Sequence, residues 1–343
     1  MTIVIVNYNG WPDVARLAAA LARSREVASG ACAIVVVDNA SDGPIPPSLI
    51  DPPPGVRLIA RPCNGGFAAG VNAGWRESRS PWLLLLNPDV EVGPEFLASV
   101  LARIDHHEGR PDGPPGLVGF ALRNPDGSSQ PSVGAEVGLA RAMFGPFLPR
   151  SRRSYRSTPR TGPAAWVTGA CLLVDSEVMR AIDGMDEDFF LYYEEVALCR
   201  SARRLGRRVE YDDRVSVVHL RPLQNRAIAP RMRVIVRHAK LLFFRKHQPG
   251  WQFQALAAIV ACEAFARGLA ARLAGDRAAI GAWKAIGAMS RAMRRGEVVK
   301  GRGVLALADA ATAEPGPSVA PAISRPHKPI RRVDAADAQS RRR

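Results

Sequence analysis

Three polar residues stand at the ends of apolar runs in the first ninety positions: Asn7 after TIVIV, Asp38 after AIVVV and Asp89 just after WLLLL. A carboxylate at the mouth of a buried strand is costly unless a cation or hydrogen-bond donors compensate it. Between these residues lies NGGFAAGVNAG, 64–74, whose glycines allow a backbone to come close to a phosphate at a helix N-terminus. Charged strand ends beside a glycine-rich turn suit a phosphorylated ligand. Two familiar versions of that chemistry do not fit. The turn after the first run, NYNGWPD, has no G-x-G-x-x-G, and no Walker lysine follows a glycine loop. The five cysteines include no C-x-x-C pair, so neither a zinc site nor a disulfide framework is indicated.

The elements that must carry these residues alternate. Strands are expected at 2–7, 32–38, 56–60 and 83–86, with helices at 12–24, 64–78 and 94–107. Such alternation gives an α/β fold with a doubly wound, mostly parallel sheet, and in open sheets of that kind ligands sit at the carboxyl ends of the strands. Residues 108–116 read as a loop, patterning is weak over 123–163, and the arginines of 149–160 read as a solvated, mobile segment. Order returns at 164–175, with a helix expected over 190–206 and a strand over 214–220. The expected division is an α/β body at 1–222, a basic helical extension at 223–300 and a disordered tail at 301–343.

Charge is divided unevenly. Residues 1–200 hold 18 Lys+Arg and 22 Asp+Glu, whereas 201–343 hold 29 and 10. A basic rear half points to an anionic partner. Phe243, Phe244, Trp251 and Phe253 lie among Arg237, Lys240, Arg245 and Lys246, a mixture suited to the surface of an anionic bilayer. No nucleic-acid-binding motif accompanies the charge, so nucleic acid is not expected as a partner. The start of the chain does not read as a signal peptide. The longest apolar candidate, 255–266, is interrupted by Glu263 and reads as too short for a membrane span.

Seven segments, in order, resemble the successive motifs of family 2 glycosyltransferases: VNYNG at 6–10, VVDNASDG at 36–43, NGGFAAGVNAG at 64–74, LLLLNPDVEV at 83–92, WVTGACLLV at 166–174, GMDEDFFLYYEEVALC at 184–199 and VVH at 217–219. The match covers about residues 2–220 and is most similar to bacterial rhamnosyltransferase-type enzymes of cell-surface polysaccharide synthesis. That resemblance implies a GT-A fold and inverting transfer of a sugar, L-rhamnose from a dTDP donor, to a lipid-linked or polysaccharide acceptor. It also implies a divalent metal, Mg²⁺ or Mn²⁺, and a peripheral position at the cytoplasmic face of the cell membrane. Asp89 takes the place of the metal-binding aspartate, with His219 completing the metal or diphosphate site. Asn7, Tyr8, Asp38, Asn39, Asn64, Gly66, Phe67, Asn72 and Asn87 fall on the nucleotide-sugar side. Thr168, Gly169 and Ala170 fall on the acceptor side. Glu194 and Glu195 match the acidic pair, Glu195 being the expected base, kept ionised by the dipole at its helix start.

Two positions depart from the family's pattern: Ala197 stands where a further acid is common, and Ser201 where an arginine is common, with Arg200 one place early. Taken singly, Asp38 and Asp89 read equally well as caps, Glu194 and Glu195 as solvated acids, and Cys199 as a core thiol. A glycosyltransferase-like scaffold without catalysis is the rival reading that these departures motivate.

Overall fold

A computed structural model describes residues 1–144, 160–221 and 228–312. The arginine-rich segment at 149–160, save Arg160, and the tail beyond 312 lie outside the described residues. The strands are β1 (Thr2–Asn7), β2 (Ala33–Asp38), β3 (Val56–Ala60), β4 (Trp82–Leu86), β5 (Val90–Glu91), β6 (Leu117–Arg123), β7 (Ser129–Gln130), β8 (Val133–Gly134), β9 (Gly162–Pro163), β10 (Trp166–Val167), β11 (Cys171–Asp175) and β12 (Val209–His219). The helices are α1 (Trp11–Ala22), α2 (Arg25–Ala28), α3 (Pro47–Ile50), α4 (Phe67–Arg76), α5 (Phe96–Glu108), α6 (Leu139–Phe144), α7 (Ser176–Ala181), α8 (Glu194–Arg204), α9 (Pro230–His247), α10 (Gly250–Leu273), α11 (Arg277–Arg294) and α12 (Arg302–Thr312).

The main sheet runs β3-β2-β1-β4-β11-β6-β12-β5, with β7 on β6 and β9 on β12. Its first four strands are parallel, as the alternation predicts. The second half is mixed: β11 lies antiparallel to both β4 and β6, and β12 returns parallel to β6. The leucine run is buried on both faces. Leu83 and Leu85 face one hydrophobic cluster with α4 and the C-terminal helices, while Leu84 and Leu86 face another with α1 and α5.

The C-terminal helices correct three expectations. Phe243, Phe244 and Phe253 are core residues rather than a lipid-facing set, and only Trp251 of that group is exposed. The stretch 302–312, expected within the disordered tail, forms α12 because Val304 and Ala308 bury against the bundle. Finally, α10 is long and apolar enough to cross a membrane by length and composition, since Glu263 interrupts the run without lowering its mean hydropathy enough to exclude it.

Candidate active site

At the carboxyl ends of β1 and β2, Asn7 and Asp38 are register partners. Asn7 Nδ2 donates to Asp38 Oδ1 and to Ser41 Oγ, both at 3.0 Å, and its Oδ1 accepts from the Gly10 amide at 3.0 Å. The Ser41 hydroxyl donates to Asp38 Oδ1 at 2.6 Å while accepting from Asn7 and from the Asn9 amide at 2.8 Å, which uses its full hydrogen-bonding capacity. Next to this cluster, Asn39 Nδ2 donates to Asn64 Oδ1 at 3.0 Å and to the Gly66 carbonyl at 2.8 Å, and its Oδ1 accepts from Arg61 at 2.5 Å. Asn7, Asp38, Asn39 and Asn64 are therefore brought together as one locked floor, with the exposed Tyr8 at its edge.

The glycine-rich stretch is used differently from a phosphate cradle. Gly66 has φ +91°, and a Cβ there would be driven into the Phe190 carbonyl. That same carbonyl accepts from the Phe67 amide at 2.9 Å, so it closes the N-terminus of α4 where an anion was expected. Gly70 lets α4 lie directly against Val6 of β1. Asn72 is spent as a clamp: its Nδ2 donates to the Met185 carbonyl and to Glu187 at 2.8 Å each, and its Oδ1 accepts from the Met185 amide at 2.8 Å. Asn72 thus stands apart from the floor, holding α4 to the loop that precedes α8.

Asp89 and His219 do meet. The antiparallel pairing of β5 with β12 sets His219 opposite Val90, and His219 Nε2 lies 3.3 Å from Asp89 Oδ1. His219 Nδ1 is 3.0 Å from Gln130 Oε1. With Nδ1 donating to that amide oxygen, a neutral ring would turn its Nε2 lone pair toward the carboxylate. Two lone-pair donors side by side fit a shared divalent cation. Among the described residues no group of three or more His, Cys, Asp or Glu side chains gathers to hold one. A cation held here would complete its shell with substrate phosphates and water, the usual habit of Mg²⁺. Arg221 Nε stands 3.9 Å from Asp89 Oδ2, and the same guanidinium pairs with Asp13.

The acidic pair sits on a strained turn. Tyr192 and Tyr193 both have left-handed backbones, φ 72° and 69°, which are costly for bulky side chains. They aim Glu194 and Glu195 into the body of the protein. Glu194 is 5% exposed, and Oε2 of each glutamate is cut off from solvent without a hydrogen-bond partner. The expectation that the helix dipole keeps Glu195 ionised is thereby corrected. Burial dominates, pushing the Glu195 carboxyl up to about 7 against its local backbone hydrogen bonds. Glu194 is raised well above the usual carboxylate range by burial and by the neighbouring Glu195. The loop is fastened from outside by Lys246, which donates to Asp186 Oδ2 at 2.7 Å and to Asp188 at 2.5 Å. Lys300 adds a 3.1 Å contact to Asp188.

A chain of contacts joins the two halves. A Cβ on Gly169 would lie 3.8 Å from Glu195 Cβ and 3.7 Å from Phe67 Cε1. The next residue, Ala170, accepts at its carbonyl from the Asn87 amide at 3.0 Å, two residues before Asp89. Thr168 is held by its amide to the Ser132 carbonyl at 3.0 Å. Of the departing positions, Ala197 is buried in the core and Arg200 donates to Glu136 at 2.9 Å. Cys199 is a buried thiol pushed up to about 12, as expected of an inert core cysteine. Sequence reasoning missed Ser41, Gln130 and Arg221. Gln130 lies where patterning is weakest and had no signal, whereas Arg221 follows His219 by two and was within reach of the same motif.

A family model described as glycosyl transferase family 2 matches residues 2–110. N-acetylglucosaminyl-diphospho-decaprenol L-rhamnosyltransferase of Mycobacterium tuberculosis is 30% identical over 241 residues, covering 64% of this chain and 75% of that relative. The chain is a family 2 glycosyltransferase. This glycosyltransferase is also 26% identical over 239 residues to the low-salt glycan biosynthesis hexosyltransferase Agl10 of Haloferax volcanii, covering 65% of the chain and 68% of that protein. In fold, the glycosyltransferase is similar to a mannosyltransferase of Pyrobaculum calidifontis solved with GDP-Man and Mn²⁺ (TM-score 0.50, 17% identity, 91% of this chain and 86% of that one). The mixed sheet with its flanking helices is a GT-A arrangement.

Proposed function

We propose that this glycosyltransferase moves L-rhamnose from dTDP-rhamnose, with inversion, to a sugar carried on a polyprenyl diphosphate at the cytoplasmic membrane face. The observation that carries the reading is the Asp89–His219 pair at 3.3 Å, set at the end of the buried leucine strand and linked through Asn87, Ala170 and Gly169 to Glu195. The named activity of the mycobacterial relative supports the choice of sugar and acceptor.

Asp89 and His219 would hold a Mg²⁺ or Mn²⁺, whose chemistry is to neutralise charge on a departing diphosphate. The locked floor of Asn7, Asp38 and Asn39, edged by Tyr8, would take the base and ribose. Gly169, which lies beside both Phe67 and Glu195, would bound the place where donor and acceptor sugars meet. The acceptor hydroxyl attacks the anomeric carbon as the bond to the diphosphate oxygen breaks. Its proton passes to the Glu195 carboxylate, and the nucleoside diphosphate leaves. One base and one displacement give inversion.

Calorimetric titration with dTDP, UDP and GDP, each with and without Mn²⁺, tests the donor site. Metal-dependent binding of dTDP, lost in Asp89→Ala, is expected. A folded sample that binds no nucleotide overturns the reading in favour of a scaffold.

A further inference from the structure

The 24-residue helix α10 is apolar on two opposite faces. Its inner face packs Phe253, Leu256, Ala257, Val260 and Ala264 into the core against α9 and α11. Its outer face presents Trp251, Ile259, Phe265, Leu269 and Leu273, at successive spacings of eight, six, four and four residues. Trp251 is 65%, Phe265 75% and Leu273 85% exposed. On a helical projection no charged side chain falls inside this stripe: Arg272 lies along one edge, Glu263 beyond the other, and Arg267 turns farther round, over Trp283 of α11. Glu263 is already paired with Arg237 and Arg267. A helix apolar all round is normally covered all round, yet among the described residues only the inner side is covered.

Crossing a bilayer does not explain it. Along its length α10 packs on α9, which carries Arg237, Lys240 and Arg245, and on α11, which carries Arg277, Lys284 and Arg291. A spanning α10 would take these cations into hydrocarbon. Arg277, Lys284 and Arg291 recur every seven residues, are exposed, and form no ion pair with any described carboxylate. Residues 228–312 as a whole hold 15 Lys+Arg against 4 Asp+Glu. A second copy laid on the stripe would bring two such cationic surfaces together, whereas lipid phosphates would neutralise them.

We infer that the outer face of α10 is the membrane seat of the enzyme, lying flat in the interface of an anionic bilayer with Trp251, Phe265 and Leu269 among the acyl chains and the α11 cations on lipid phosphates. The seat rests on the proposed function for its purpose, since an acceptor carried on a polyprenol can be reached only at such an interface.

Flotation of the full chain with vesicles of phosphatidylcholine alone, or mixed with phosphatidylglycerol, tests the seat. Binding only to the anionic vesicles, weakened by salt, is expected, and the double variant Phe265→Glu/Leu269→Glu should partition about tenfold less or weaker. If that variant misfolds by circular dichroism, Arg277→Glu/Lys284→Glu/Arg291→Glu must lose the salt-sensitive binding instead. A fluorophore on the exposed Cys262, within the stripe, should shift to the blue only with anionic vesicles. Wild-type protein that floats with neither vesicle, or a folded variant that floats unchanged, overturns the seat. So does a dimer in sedimentation that the double variant splits, which would make a second copy the cover. Metal-dependent dTDP binding, measured on the same preparations, separates the two proposals: flotation without nucleotide binding sinks the donor reading alone, and the reverse sinks the seat alone.

Discussion

The hydrogen-bonded floor around Asn7 and Asp38 and the acidic turn handle polar groups in opposite ways. In the floor, Asn7, Asp38, Ser41 and Asn39 are saturated with mutual hydrogen bonds, and the buried charge is compensated within the protein. In the turn, two tyrosines hold left-handed backbones so that two carboxyls enter a space where neither Oε2 has a partner. A saturated network is rigid. An unsatisfied carboxyl is poised to accept a proton from something that arrives. The first region resembles a fixture, and the second a loaded spring.

Breaking the turn should have the larger consequence for activity. Glu195→Gln keeps the shape and removes the proton acceptor, and turnover is expected to fall by about 10²–10⁴-fold with folding intact. Full activity in that variant would transfer the role elsewhere. On the structural side, Gly66→Ala must fit a side chain at φ +91° against the Phe190 carbonyl. It should cost about 3–5 kcal/mol in chemical denaturation, more than an ordinary surface change.

Acidity sharpens the contrast. As base, Glu195 must be ionised, so kcat/KM should rise with pH through about 7. The stability effect has the opposite slope. Both carboxyls are raised in the folded state, so the folded protein holds their protons more tightly than the unfolded chain does. Their contribution is complete below the ordinary carboxylate range and is lost as pH rises through the folded values. The difference in melting temperature between wild type and Glu195→Gln should therefore grow in favour of the variant as pH rises from the ordinary carboxylate range to about 7. Smallest of all, Ser41→Ala removes one hydroxyl from the floor and should cost about 1 kcal/mol, since Asn7 and Asp38 remain paired without it.

How far these regions were legible in the sequence differs for physical reasons. The parallel half was readable because β1, β2 and β4 are short apolar runs between amphipathic helices, with Asn7 and Asp38 closing the first two and Asn87 directly following the third. Asp89 and His219 lie far apart in the sequence, and the β5–β12 pairing brings them within 3.3 Å. The insertion of β11 between β4 and β6 had no local signature, because strand order is decided by long-range pairing. The ionisation of Glu195 was misjudged because a helix start predicts one sign and burial imposes the other; only coordinates show which is stronger. The aromatic residues of the rear half were read for composition, while exposure depends on which side of α9 and α10 meets the core. Asn72 looked like a ligand contact and is a clamp, a distinction carried by its partners at Met185 and Glu187.

The place of β11 has a consequence for synthesis. The ribosome releases β1 to β4 well before Cys171–Asp175 exists, so the leucine-rich β4 waits with an open and greasy flank. Until the later segment docks, that flank is a template for pairing with another nascent chain. A fragment ending near residue 110 would make the delay permanent. Such a fragment keeps the parallel half of the sheet, yet it would be kept from precipitating only by a chaperone or by the missing strand supplied as a separate peptide.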